Sequence, residues 1–104
     1  MHDRNIIHRD LKDANVFLTK SGICKLGDLG VARVMNSTVS KANTVCGTPT
    51  HMSPEILNIQ VNKNGDTYDK KCDIWSLGII LYELATLKHP FEANNLLGLV
   101  FKIV

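Results

Sequence analysis

The chain has 104 residues, the length of one small domain, with 44% hydrophobic residues and a formal net charge of +2. That apolar content asks for a core and excludes a disordered chain, and the weak, dispersed charge gives no ground for a nucleic-acid or anionic-membrane partner. The first residues, Met1-His2-Asp3-Arg4-Asn5, lack the apolar stretch of a signal peptide, and the run from Ser76 to Leu87 is too short to span a bilayer. Three cysteines, Cys24, Cys46 and Cys72, are odd in number and lack zinc-site spacing, so reduced thiols in an intracellular, cytoplasmic protein are expected.

In chain order, the first feature is a polar stretch, His8-Arg9-Asp10-Leu11-Lys12-Asp13-Ala14-Asn15. Two short β-prone runs follow, Val16–Thr19 and Ile23–Leu26, separated by Lys20-Ser21-Gly22; this pattern predicts a β-hairpin. From Gly27 to about Asn43 the composition is that of a loop, with a turn near Val31–Met35. Asn58 to Asp69 is again polar, with Asn64-Gly65 marking a tight turn. Asp73 is placed to cap a helix over residues 74–87, ended before Pro90 and apolar on almost every face, hence expected to be buried all round. A last helical run spans Asn95 to Val104.

Phosphoryl transfer from a nucleotide needs a carboxylate to accept a hydroxyl proton, oxygen ligands for magnesium and a cation near the transferring group. Asp10, then Asn15 with Asp28, and Lys12 supply these. The predicted hairpin begins at Asn15 and returns Asp28 beside it, so two strands make one site from separated stretches. Any one such residue is ordinarily only a solvated loop residue. The set, in this order, is not explained that way.

His8 to Asn15, then Asp28-Leu29-Gly30, then Ser53-Pro54-Glu55 resemble the catalytic loop, magnesium loop and activation-segment end of a eukaryotic protein kinase. The resemblance implies an α+β fold, a protein kinase-like C-terminal lobe in part, mainly α with a short β-hairpin. It covers residues 1–104 as a partial kinase domain, from the end of helix E to the start of helix G, with the small lobe and C-terminal helices missing.

Further roles come with the resemblance. It implies ATP and Mg2+ as cofactors, Asp10 and Lys12 as catalytic residues, and Asn15 and Asp28 as metal ligands. Lys12, Asn15, Phe17 and Asp28 would bind the nucleotide, with Phe17 beneath the adenine. His8, Arg9, Leu29, Gly30, Glu55 and Asp73 would hold the architecture, and Gly47-Thr48-Pro49 would position a protein substrate by its serine or threonine. Lys12, two places after the aspartate, is of the serine/threonine type.

Leu29, the run Val34–Thr38 and Leu87–Ala93 are similar to NIMA-related kinases, a group tied to mitosis, centrosomes and cilia; a nuclear, centrosomal or ciliary setting and dimerisation through segments outside this chain are family-level expectations. Thr44 is the expected regulatory phosphorylation site, with Arg9 as partner of the phosphate and Ser37, Thr38 and Ser40 as weaker candidates.

The chain departs from the pattern in four ways. The glycine loop, strand lysine and helix C glutamate have no counterpart here; Glu55 to Asp73 is longer than usual, with the excess at Asn58–Thr67; Thr50-His51 stands where an aromatic pair is usual; and Glu55 lacks its arginine, so it is expected to be unpaired. The second reading is therefore a truncated, inactive fragment acting as an interaction module.

Overall fold

A computed structural model describes residues 1–35, 46–62 and 69–104. The expected phosphorylation site Thr44, with Ser37, Thr38 and Ser40, lies outside the described residues, as does the Asn64-Gly65 turn. Among the described residues four short strands come first: β1 (Ile6–Ile7), β2 (Val16–Leu18), β3 (Cys24–Leu26) and β4 (Arg33–Val34). Three helices follow: α1 (Pro54–Asn62), α2 (Lys71–Thr86) and α3 (Leu96–Ile103). This is the α+β arrangement expected of a partial kinase lobe.

The predicted hairpin is present. β2 and β3 pair antiparallel with Val16 opposite Leu26, Phe17 opposite Lys25 and Leu18 opposite Cys24. Gly22, at φ 79°, takes the left-handed conformation that the connection requires. The stretch after Gly27 is not wholly loop. After a turn closed by Ala32 N–H donating to the Leu29 carbonyl, Arg33–Val34 pairs antiparallel with Ile6–Ile7. A two-residue strand is too short to show an alternating pattern, so composition alone concealed it.

Helix α1 lies partly in a stretch expected to be polar loop. Its local cues are Pro54 at the first helical position and Glu55 in the first turn, both favoured there. Ile56 and Leu57 then bury themselves almost completely.

Helix α2 begins at Lys71, before the expected start, and Asp73 is not its N-cap. Asp69 Oδ1 instead accepts from the Lys71 backbone N–H at 2.7 Å, which frees the Asp73 carboxylate for contacts elsewhere. Nor is α2 buried all round. Ile79 and Ile80 are in the core, while Ile74, Leu77, Leu81 and Leu84 are exposed, because the described residues pack along one flank of the helix only. Its C-terminus is closed by Leu87 in the left-handed conformation (φ 56°), whose N–H donates to the Glu83 carbonyl. No helix of the described residues is long and apolar enough to cross a membrane.

Helix α3 is capped by Asn95, whose side chain accepts from the Gly98 N–H at 2.8 Å. Its buried face, Leu99, Val100 and Ile103, joins Ile7, Met35, Met52, Ile56, Leu57 and Cys72 in one core. Trp75 and Phe91 stack against it with ring centroids 6.1 Å apart. The core thus ties the strand just before His8 to all three helices, so the polar loop that follows rests on packed structure.

Candidate active site

The loop from His8 to Asn15 is held at both ends by groups far along the chain. The Asp73 carboxylate accepts from the backbone N–H of His8 and of Arg9, each at 2.9 Å, and its Oδ2 lies 2.7 Å from His2 Nε2. Asp73 is 3% exposed, and these partners are what make a carboxylate tolerable there. His8 is buried with Nε2 3.0 Å from the Gly27 carbonyl. A carbonyl only accepts, so Nε2 carries the proton, and Nδ1 is left to accept from the Asp10 N–H. Arg9 has φ 70° and donates through Nε to the Val31 carbonyl at 2.6 Å. At the other end the Gly27 N–H donates to the Asn15 carbonyl at 2.9 Å, which places Asp28 next to the loop as the hairpin predicts.

Within this frame Asp10, Lys12 and Thr48 form a closed triangle. The Thr48 hydroxyl donates to Asp10 Oδ1 at 2.8 Å, Lys12 Nζ lies 3.0 Å from Asp10 Oδ2, and Lys12 Nζ donates to Thr48 Oγ1 at 3.1 Å. The Asn15 amide donates to the Asp10 carbonyl at 2.9 Å. Burial by itself would raise the Asp10 carboxyl, but the Lys12 ammonium and the Thr48 hydroxyl overcome it and hold the group below the usual value. Asp10 is therefore a carboxylate at neutral pH, oriented by a cation and a hydroxyl.

Of the residues expected to position a peptide, Gly47 and Thr48 are brought directly against this loop. Pro49 opens a 3-10 turn, Pro49–His51, that packs on α2; there Ser76 Oγ donates to the His51 carbonyl at 2.8 Å. Asp28 is left-handed (φ 54°) and its Oδ1 accepts from the Gly30 N–H at 3.2 Å. The amide oxygen of Asn15 and the carboxylate of Asp28 are the hard oxygen donors that suit magnesium.

Phe17 and Leu29 are 56% and 57% exposed, so neither is enclosed by the described residues. Phe17 also lies over the backbone of Gly27, where a Cβ would come within about 2.4 Å of its ring. Glu55, in the first turn of α1, is half-buried. Two participants went unread in the sequence. His2 has no motif to flag it, whereas Gly27, directly before Asp28, is a glycine at a strand end, a standard mark of close approach.

A family model described as protein kinase domain matches residues 1–103. The chain is 57% identical to the serine/threonine-protein kinase Nek1 of Mus musculus over 104 residues, covering 100% of this chain and 8% of that protein. It is 57% identical to Nek5 of Homo sapiens, covering 99% of this chain and 14% of that protein. With a probable serine/threonine-protein kinase, nek3, of Dictyostelium discoideum the identity is 54%, over 97% of this chain and 9% of that protein. The chain thus spans a small part of the length of these curated relatives, and the similarity to Nek kinases agrees with the resemblance carried by Leu29 and the flanking runs. The chain belongs to the protein kinase domain family.

Proposed function

We propose that the protein carrying this segment is a serine/threonine kinase that transfers the γ-phosphoryl group of ATP to a hydroxyl on a protein substrate. The observation that carries this is the Asp10–Lys12–Thr48 triangle, a carboxylate kept ionised beside a cation at the start of a magnesium-type oxygen set. Asp10 accepts a hydrogen bond from the incoming hydroxyl and orients its oxygen for attack. Lys12 holds positive charge beside that oxygen, and Thr48 fixes the Asp10 carboxylate while beginning the segment that receives the substrate chain. Asn15 and Asp28 fit a magnesium ion by donor type and would hold it. When bound, the ion neutralises charge on the nucleotide phosphates. Phe17, open on one face, would border the base. Phosphorylation of Thr44 and a cytoplasmic location belong to the same proposal; that none of the three cysteines is in a disulfide fits a reducing compartment.

The test compares the full-length protein with its Asp10→Asn variant for transfer of labelled phosphate to a serine- or threonine-containing protein. Loss of a positioned proton acceptor is expected to lower the rate by about 10²–10⁴-fold. Equal rates overturn the assignment.

A further inference from the structure

One polar cluster takes no part in the site described above. It is built where three segments meet: Asp13 at the end of the catalytic loop, His51 just after Gly47-Thr48-Pro49, and Glu83 on α2. Each offers one ligand atom, an imidazole nitrogen or a carboxylate oxygen, and the three atoms all lie within 4.8 Å of one another. We propose that Asp13, His51 and Glu83 bind a divalent transition-metal ion of the zinc class, separate from the magnesium position at Asn15 and Asp28.

The spacing favours it. Zinc bonds to imidazole nitrogen and carboxylate oxygen are about 2.0–2.2 Å long, so neighbouring ligand atoms in a tetrahedral site stand roughly 3.3–3.6 Å apart. His51 Nε2 and Glu83 Oε2 are already 3.2 Å apart. Their side chains are only 6% and 13% exposed, so packing holds this pair in place. Asp13 is exposed, with its carboxylate within 4.8 Å of the other two ligand atoms, on the side open to solvent.

Supporting groups are present on both fixed ligands. Thr50 Oγ1 lies 3.0 Å from His51 Nδ1. With Nε2 on the metal, Nδ1 carries the proton and donates to that hydroxyl, the outer contact that fixes a ligating imidazole. His89 Nδ1 meets the other oxygen of Glu83 and holds the carboxylate from outside. Donor type separates the two ions, since imidazole selects zinc-class metals and the all-oxygen set selects magnesium. Three protein ligands leave a fourth position open. A bound ion would join the catalytic loop, the substrate-positioning segment and α2 through one centre. Without an ion, the His51–Glu83–His89 array is satisfied by its own hydrogen bonds.

The experiment strips the full-length protein of metal, then titrates zinc against a chromophoric zinc indicator in excess magnesium, with cobalt(II) absorption as a second readout. One zinc equivalent is expected that magnesium does not displace, and it is lost in His51→Gln and in Asp13→Asn. Thr50→Val is expected to weaken it by about 10–100-fold, and Asp28→Asn to leave it unchanged. Asp13→Asn alters an exposed side chain, so it decides the matter even where His51→Gln misfolds. No zinc bound in excess magnesium, or the same stoichiometry and affinity in Asp13→Asn, overturns the proposal.

Discussion

Gly47 lies directly against the backbone of Arg9: a Cβ on it would come within about 2.5 Å of the Arg9 carbonyl oxygen. Its φ of 116° is, in addition, a conformation that side-chain-bearing residues rarely adopt. Gly47→Ala therefore strains the backbone and pushes two segments apart where Thr48 reaches Asp10. A destabilisation of about 1–3 kcal/mol is expected in chemical unfolding, together with reduced phosphoryl transfer under conditions where the variant is still folded. Wild-type stability would show that the close approach relaxes at no cost.

Thr48→Val tests the hydroxyl itself. Thr48 is one of the two groups that hold the Asp10 carboxyl low, so its removal raises that pKa. The protonated, inactive fraction of Asp10 then grows at the acid end, and the acid limb of the rate profile moves to higher pH. Thr48→Ser keeps the hydroxyl and is expected to keep the wild-type profile. A uniform drop in rate with an unmoved acid limb would mean that Thr48 acts only on substrate placement.

Cys72 and Cys24 should separate chemically. Burial, and then the negative charges of Asp73 and Glu55, push the Cys72 thiol up to about 12 from its usual value near 9.0. Cys24 is exposed on β3. Iodoacetamide at neutral pH, followed by peptide mapping, is expected to label Cys24 and spare Cys72. Because the folded value is the higher one, the thiol contributes stability that is complete below about pH 9 and declines as pH rises toward 12. Cys72→Ala should therefore lose less stability than wild type across that alkaline range.

His89 gives the complementary dependence near neutrality. Its hydrogen bond to Glu83 raises its pKa above the ordinary histidine value. The protonated ring is thus favoured in the folded chain, and its contribution is fully present below about pH 6.5 and lost as pH climbs through the raised value. Thermal unfolding of His89→Gln at a series of pH values should show its deficit against wild type shrinking over that interval. The effect will be small, because His89 is largely exposed and screened by solvent. A deficit independent of pH would assign His89 a packing role instead.

What the sequence disclosed and what it withheld follow from the range of the forces involved. The hairpin was legible because two β-prone runs flank a turn, and Asn15, Asp28, Asp10 and Lys12 were legible because chemistry demands those types together. Helix α3 was read to within a residue or so from Asn95 and its amphipathic run. The start of α2 was misread for a physical reason: Asp73 has the right side chain for an N-cap, and nothing local shows that two distant backbone amides claim it. The exposed flank of α2 was likewise invisible to periodicity, which reports the faces of a helix and not what covers them. Strand β4 needed its partner at Ile6–Ile7 before it existed at all.

The grip of Asp73 on His8 and Arg9 spans 65 and 64 positions of chain. The start of the loop therefore takes part of its placement from the first turn of α2, beside the nearer contacts with Gly27, Val31 and Thr48. A change of chain length between the end of α1 and Asp69 leaves Asp10 in place, provided that α2 docks in the same position. A domain built this way can vary its surface in length while the Asp10 loop keeps its address.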